Sequence, residues 1–247
     1  MAADVAATIA KPVPPKKKAL VPRDAATLLV LDRTLSGVHV LMGKRRDDLA
    51  FNPGAYVFPG GRVDPTDGFV SADVDMPDRL RDRLLDRMRP KPSRRRARAL
   101  LVAALRETAE ETGYLIGRRD GGFAKAPPDG FQPFVDKAVG LDLATPVLIG
   151  RAITPVKRPR RFDARFFAVW ADDAVAVVPE SPVPPDNELS DVRFVPLEET
   201  GRLDLPRMTK IMLAELDTRL AADPRLTLDL PAPFFVPFGE KHRRDEI

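Results

Sequence analysis

The chain has 247 residues, 44% of them hydrophobic, with 40 basic side chains set against 36 acidic ones for a formal net charge of +4. That length can bury a substantial core and suits one domain with extensions, and the mild positive excess suits a phosphate-bearing ligand without demanding nucleic acid. The lack of cysteine excludes disulfides, thiolate zinc sites and a cysteine nucleophile, and two histidines as distant as His39 and His242 argue against a histidine metal site or a Ser-His-Asp triad.

Residues 1–22, ending in the Pro/Lys-rich "KPVPPKKKALVP", read as a solvated, flexible arm. With no secretory signal and no apolar run of membrane length, the expected location is cytoplasmic, without a membrane partner. One catalytic-sized domain is expected over 23–222, with 223–247 as a C-terminal extension. "ATLLVLD" (26–32) and "VHVLMGKR" (38–45) are β-rich runs joined by the hairpin-like "RTLSG". The second run is a strand and not a phosphate loop, because Gly37 and Gly43 are one residue too far apart and Arg45 stands where Ser or Thr is needed. "AYVF" makes a third strand that ends at "PGG".

Beyond Asp64 the chain becomes turn-rich. "PDRLRDRLLDRMR" then places Leu80, Leu84 and Met88 on one helical stripe, with Pro77 at its start and "RPKPS" at its end. The next helix is predicted from an N-cap at Ser93 to a stop at Gly113, with Ala97, Leu101, Ala104, Leu105 and Thr108 as one small apolar face. Strands follow in "RFFAVWA" and "AVAVV", then "DVRFVPLEE" as a strand leading into a helix start, and a C-terminal helix in "LPRMTKIMLAELDTRLAA". The phenylalanines of "APFFVPFGE" are expected to pack across the domain or against another subunit. Residues 79–98 carry ten Lys/Arg without interleaved aromatics. That pattern argues against a nucleic-acid face and for a lid or a homodimer contact. Short strands mixed with few helices indicate an α/β (α+β) architecture.

"ALRETAEETGYLIG" (104–117) carries the chemistry. At about 100° per residue, Glu107 and Glu111 lie roughly 40° apart and Glu110 roughly 60° to the other side. The three carboxylates therefore share one face, where like charges weaken an isolated helix. Hard oxygens on adjacent turns suit Mg²⁺ or Mn²⁺, and such a cation can bridge phosphate oxygens and activate a water. A solvated acidic face is the plainer alternative for these residues taken alone.

Upstream, "FNPGAYVFPGGRVDPTD" (51–67) supplies a strand running into two glycines. Together the two stretches resemble the Nudix signature, G-x5-E-x7-R-E-U-x-E-E-x-G-U, with Gly61 opening it, Asp67 at the first acidic position, and Arg106, Glu107, Glu110, Glu111, Gly113 and Tyr114 in the second half. Residues 68–105, 38 in number, lie between the halves where the pattern has seven. Residues 68–92 are read as an insertion. Leu41–Asp67 and the later "PRRFDARFF" (159–167) are further similar to the coenzyme A diphosphatase, Nudix motif 19-like branch, although Ala50 stands where many of those enzymes carry arginine.

The resemblance implies a Nudix-type α/β/α sandwich with a mixed sheet and a hydrolase acting on a small-molecule nucleoside diphosphate derivative. Coenzyme A or acyl-coenzyme A lead; ADP-ribose, dinucleotides and nucleotide sugars follow, and a non-catalytic phosphate- or nucleic-acid-binding module is the rival. It assigns metal binding to Glu107, Glu110, Glu111 and the Gly60 carbonyl, and orientation of a neighbouring carboxylate to Arg106. Glu188 competes with the box glutamates as general base. Arg45, Arg62, Arg160 and Arg161 are candidates for holding phosphates, since guanidinium forks match phosphate oxygens.

Overall fold

A computed structural model describes residues 20–49, 52–180 and 187–247. Most of the expected N-terminal arm, Ala50 and the prolines ahead of Glu188 lie outside them. The first strands are β1 (Arg23–Thr34), β2 (Gly37–Arg45), β3 (Tyr56–Val57) and β4 (Gly60–Arg62), followed by helices α1 (Asp78–Leu85) and α2 (Arg94–Thr112). Short pieces come next: β5 (Leu115–Ile116), β6 (Arg118–Arg119), α3 (Gln132–Asp136) and β7 (Val139–Gly140). The second half holds β8 (Val147–Ile153), β9 (Phe162–Trp170), α4 (Ala171–Ala174), β10 (Val175–Val177), β11 (Leu189–Pro196), α5 (Arg207–Ala222), β12 (Pro233–Phe238) and β13 (Lys241–Glu246).

One mixed sheet runs in the order β11-β2-β1-β9-β8-β12-β13, with β3 on β2 and β4 on β1. β1 and β9 are parallel over nine residue pairs, and β8 pairs parallel with β12; the other contacts of this sheet are antiparallel. The two-residue period of β1 sends Ala26, Leu28 and Val30 to one face and Leu29 and Leu31 to the other. The first face packs on α2 and the second on α5 through Met212, Leu213 and Leu216. This is the expected α/β/α sandwich. Among the described residues no helix is long and apolar enough to cross a membrane.

α2 begins and ends where its caps say it should. Ser93 Oγ accepts from the Arg96 amide at 3.2 Å, and Gly113 closes the helix at φ 75°, its amide bonding Ala109 O at 2.9 Å. Its burial is wider than the single apolar face read from sequence. Leu100, Val102 and Ala103 are buried as fully as Ala97 and Leu101, because Phe131, Phe134, Val139, Leu141 and Leu143 cover the side away from the sheet. Small side chains suit a helix enclosed on both sides.

Within 223–247, β12 and β13 continue the main sheet, burying Phe234 and Phe235 across the domain and leaving Phe238 exposed. Part of the basic strip of 79–98 is paired within the chain. Arg83 donates to Leu230 O, Arg87 to Glu246 O and Asp245, Arg94 and Arg98 to Asp75, and Arg96 to both oxygens of Asp24. Carbonyls and carboxylates, distant in sequence and therefore invisible to composition, take up the arginine donors.

"PRRFDARFF" likewise forms part of the scaffold. Asp163 on β9 accepts two hydrogen bonds from Arg151 on β8, both 2.8 Å, and pairs with Arg165 at 2.9 Å. All three side chains are buried. Arg151 also donates to the carbonyls of Asp86 and Arg87, fixing the chain just after α1 to the sheet. Breaking a buried charge cluster leaves unpaired charge in low dielectric. Asp163→Asn should therefore cost about 3–5 kcal/mol, the range for loss of one buried partner, measured as a lower midpoint in denaturant unfolding; an unchanged midpoint would refute the account.

Candidate active site

The site is built where β4 crosses beneath α2. Gly60 and Gly61 pair with Thr27 and Ala26 of β1. Gly60 has φ 152°, and a Cβ there would meet Ala26 O at 2.5 Å and Thr27 Cα at 2.6 Å, so only glycine lets the strands approach this closely. A Cβ on Gly61 would fall 2.4 Å from the Glu107 carboxyl. The two glycines thus bring backbone directly against the α2 carboxylates. Glu111 Oε2 accepts the Gly60 amide at 2.8 Å.

Arg106 is buried and gathers the remaining acids. Its Nε and Nη2 donate to the two oxygens of Asp67 at 3.0 and 3.1 Å, and Nη1 donates to Glu107 and Glu110, each at 2.9 Å. Nη2 also reaches Arg62 O at 3.1 Å. Asp67, fully buried, lies in a 3₁₀ turn (Asp67–Phe69) packed on α2, and accepts the Asp64 amide at 2.7 Å as well. The turn's position lets the shorter Asp67 reach Arg106 without the extra methylene of a glutamate. The 38 intervening residues loop away and return, so the two halves of the signature meet in space.

Electrostatics follow from this crowding. Burial pushes the Glu107 carboxyl up to about 7 against the opposing pull of Arg106. Burial also raises Glu110, with Arg106 again opposing. Glu111 is driven well above the ordinary carboxylate range by burial; the Gly60 amide counters this, while Glu107 and Glu188 repel it further. For Arg106, burial works to weaken protonation, but the hydrogen bond to Asp67 and the charges of Glu107, Asp67 and Glu110 outweigh it and raise its pKa.

Glu188, just ahead of β11, enters the same neighbourhood: its Oε1 accepts from Arg45 Nη1 at 2.6 Å. The preceding Asn187, which sequence reading did not single out, donates to the carbonyls of Glu110 and Glu111 at 3.0 and 3.2 Å. Nothing local in "PPDNELS" signals a partner on a helix 76 residues away. Of the arginines considered for phosphate, Arg45 lies at this cluster and Arg62 is exposed beside Gly61, 3.6 Å from Asp64. Arg161 stands apart, ahead of β9 and two strands from β4, donating to Thr154 O and Leu20 O; Arg160 precedes it on the surface.

All the clustered acidic donors are hard oxygens, the type that binds Mg²⁺ or Mn²⁺. Among the described residues no three acidic or histidine side chains converge as a ligand set; Glu110 is turned onto Arg106, and Glu111 onto the Gly60 amide. The carboxylates of Asp67, Glu107, Glu110, Glu111 and Glu188 nevertheless outnumber the guanidiniums of Arg106 and Arg45. That excess of carboxyl groups, three of them held above their ordinary range by burial, is the donor chemistry that a divalent cation would complement.

No known family model matches the chain, and no curated protein does. Solved structures do. A NUDIX hydrolase from Alicyclobacillus acidocaldarius aligns with a TM-score of 0.57 and 27% identity, over 83% of this chain and 93% of that one. The NUDIX domain of Shewanella oneidensis NrtR, in complex with ADP ribose, aligns at 0.45 and 13% identity over 81% of this chain and 90% of its own. A C. elegans Ap4A hydrolase binary complex aligns at 0.40 and 13%, over 81% and 98%.

The geometry separates stability from site arrangement at one position. Gly61→Ala meets only the flexible end of Glu107, so the thermal midpoint should stay within a few degrees of wild type, roughly the shift of a change below 1 kcal/mol. The Glu107 carboxylate, in contrast, must move. A structure of the variant with Glu107 still bonded to Arg106 and in its original place would contradict this.

Proposed function

We propose that this chain, a hydrolase of Nudix fold acting on phosphoric anhydrides, cleaves the diphosphate linkage of a nucleoside diphosphate derivative with water and Mg²⁺ or Mn²⁺. The observation that carries the reading is the reunion of the interrupted signature: Asp67 on Arg106 and Gly60 on Glu111, across an insertion that would otherwise separate them. An isolated acidic face would have no reason to be buried against a two-glycine strand.

In this reading Glu107, Glu110, Glu111 and the Gly60 carbonyl hold the cation, which when bound neutralises charge developing on the diphosphate and acidifies a water. Arg106 holds Glu107 and Glu110 on one nitrogen, with Asp67 fixing its far side. Glu188, which holds the Arg45 guanidinium, competes with the box glutamates as general base. Arg45 and Arg62 are the nearer candidates for phosphate oxygens, Arg160 and Arg161 the more remote.

Coenzyme A or acyl-coenzyme A remain the leading substrates, on the likeness of Leu41–Asp67. The likeness at 159–167 weighs less, since Asp163 and Arg165 there serve the buried charge cluster. A panel of coenzyme A, acyl-coenzyme A, ADP-ribose, dinucleotides and nucleotide sugars, assayed with Mg²⁺ or Mn²⁺ and with product identification, tests the proposal. Activity should vanish with chelator and return with added cation. Glu111→Gln should lower turnover on the order of 10²–10⁴-fold, the range for loss of a general base. Tight binding without cleavage across the panel would instead establish a non-catalytic binding module.

A further inference from the structure

The end of α2 is closed by a residue from another part of the chain. The last carbonyls of a helix lack intrahelical donors. Here Thr112 Oγ1 serves Thr108 O at 2.5 Å and the Gly113 amide serves Ala109 O at 2.9 Å. Glu110 O and Glu111 O are served by Asn187 Nδ2 at 3.0 and 3.2 Å. The same amide group accepts, through Oδ1, the backbone N–H of Glu188 at 2.7 Å. The reverse orientation of the amide would set oxygen against two carbonyl oxygens, so the hydrogen-bond network fixes which end points to the helix.

Glu188 is therefore gripped on several sides. Its amide is held by Asn187, its carbonyl accepts from Arg46 N at 3.4 Å, its neighbour Leu189 pairs with Arg45, and its carboxylate takes the Arg45 guanidinium. One amide side chain ties the backbone under Glu188 to the helix turn carrying Glu110 and Glu111. Few residue types can do this. Aspartate lacks donors and would put a negative charge at the negative end of the helix. Lysine and arginine lack an acceptor for the Glu188 amide, and their charge would compete with Arg45 for the acids.

We propose that Asn187 is a positioning residue that sets the Glu188 carboxylate relative to Glu111 by bracing the Glu188 backbone against the end of α2. The proposal rests on the hydrolase reading with Glu188, one of its candidate general bases, at the reacting centre, and it predicts that Asn187 acts through Glu188. The test uses the full chain with Asn187→Leu, Asn187→Asp, Glu188→Gln and the Asn187→Leu/Glu188→Gln double variant, each with its thermal midpoint recorded.

With the best substrate of the panel, Asn187→Leu and Asn187→Asp should each lower kcat roughly tenfold, as expected for the loss of modest hydrogen bonds, with KM changed less than about twofold and the midpoint lowered by no more than about 10 °C. In the Glu188→Gln background, Asn187→Leu should add less than about twofold, since residues acting as a unit are not additive. Independently of any substrate, hydrogen exchange at the Glu188 amide should be faster in Asn187→Leu than in wild type. Equal losses in both backgrounds, an unchanged kcat, or unchanged exchange would each overturn the proposal. Wild type inactive across the panel would refute the hydrolase reading and the role of Glu188 with it, while the exchange rates would still decide whether the brace exists.

Discussion

A single guanidinium carries the architecture of the site. Arg106 is one cation set among Asp67, Glu107 and Glu110, with the Arg62 carbonyl completing its partners. Each of those carboxylates would be costly to hold in a partly dry cleft alone, and the arginine would be costly without them. The planar fork matters as much as the charge, because its five N–H donors are aimed in several directions at once. A lysine would bring the charge but could not hold Asp67 with two bonds while also dividing a third nitrogen between Glu107 and Glu110. The insertion depends on this contact too: its entry is fixed where Asp67 meets Arg106, and its exit is α2 itself.

The second dependence is the close approach of β4 to β1. Gly60 and Gly61 remove side chains where a Cβ would strike either the neighbouring strand or Glu107. On that side Glu107 consequently faces bare backbone at Gly61, and Glu111 finds a peptide N–H as its partner. Sheet, glycine turn and helix then fix one another: β1 holds β4 by pairing, β4 holds Glu111, and the small residues of α2 let the helix settle onto the sheet.

Much of this could be read from the sequence because its determinants are local. Ser93 and Gly113 mark α2 by capping chemistry, the alternation of β1 names its two faces, and the two halves of the box declare themselves by spacing. What escaped reading depends on pairing across distance. β8 hides Arg151 inside an apolar run, a residue explained only when Asp163 arrives from β9. β12 contains two prolines and is followed by a charged hexapeptide, so 233–246 resemble a tail until the edge of β8 is there to receive them. Asn187 is equally silent alone, since its meaning lies in two carbonyls of α2.

The two borders of the sheet bear on how the molecule behaves in a crowd of its own kind. One border is β13, whose residues Lys241 to Glu246 are nearly all charged. The opposite border is β11, interrupted between Ser190 and Arg193, where Asp191 takes φ 44°. A border strand offers unpaired N–H and C=O groups that invite another chain to add on, and charge or a broken register makes such an addition unfavourable. A sheet assembled from these strands is thus guarded at both sides against fibre growth. The hairpin that buries Phe234 and Phe235 also presents charge to the outside, so the same few residues that finish the core oppose sheet-to-sheet polymerisation.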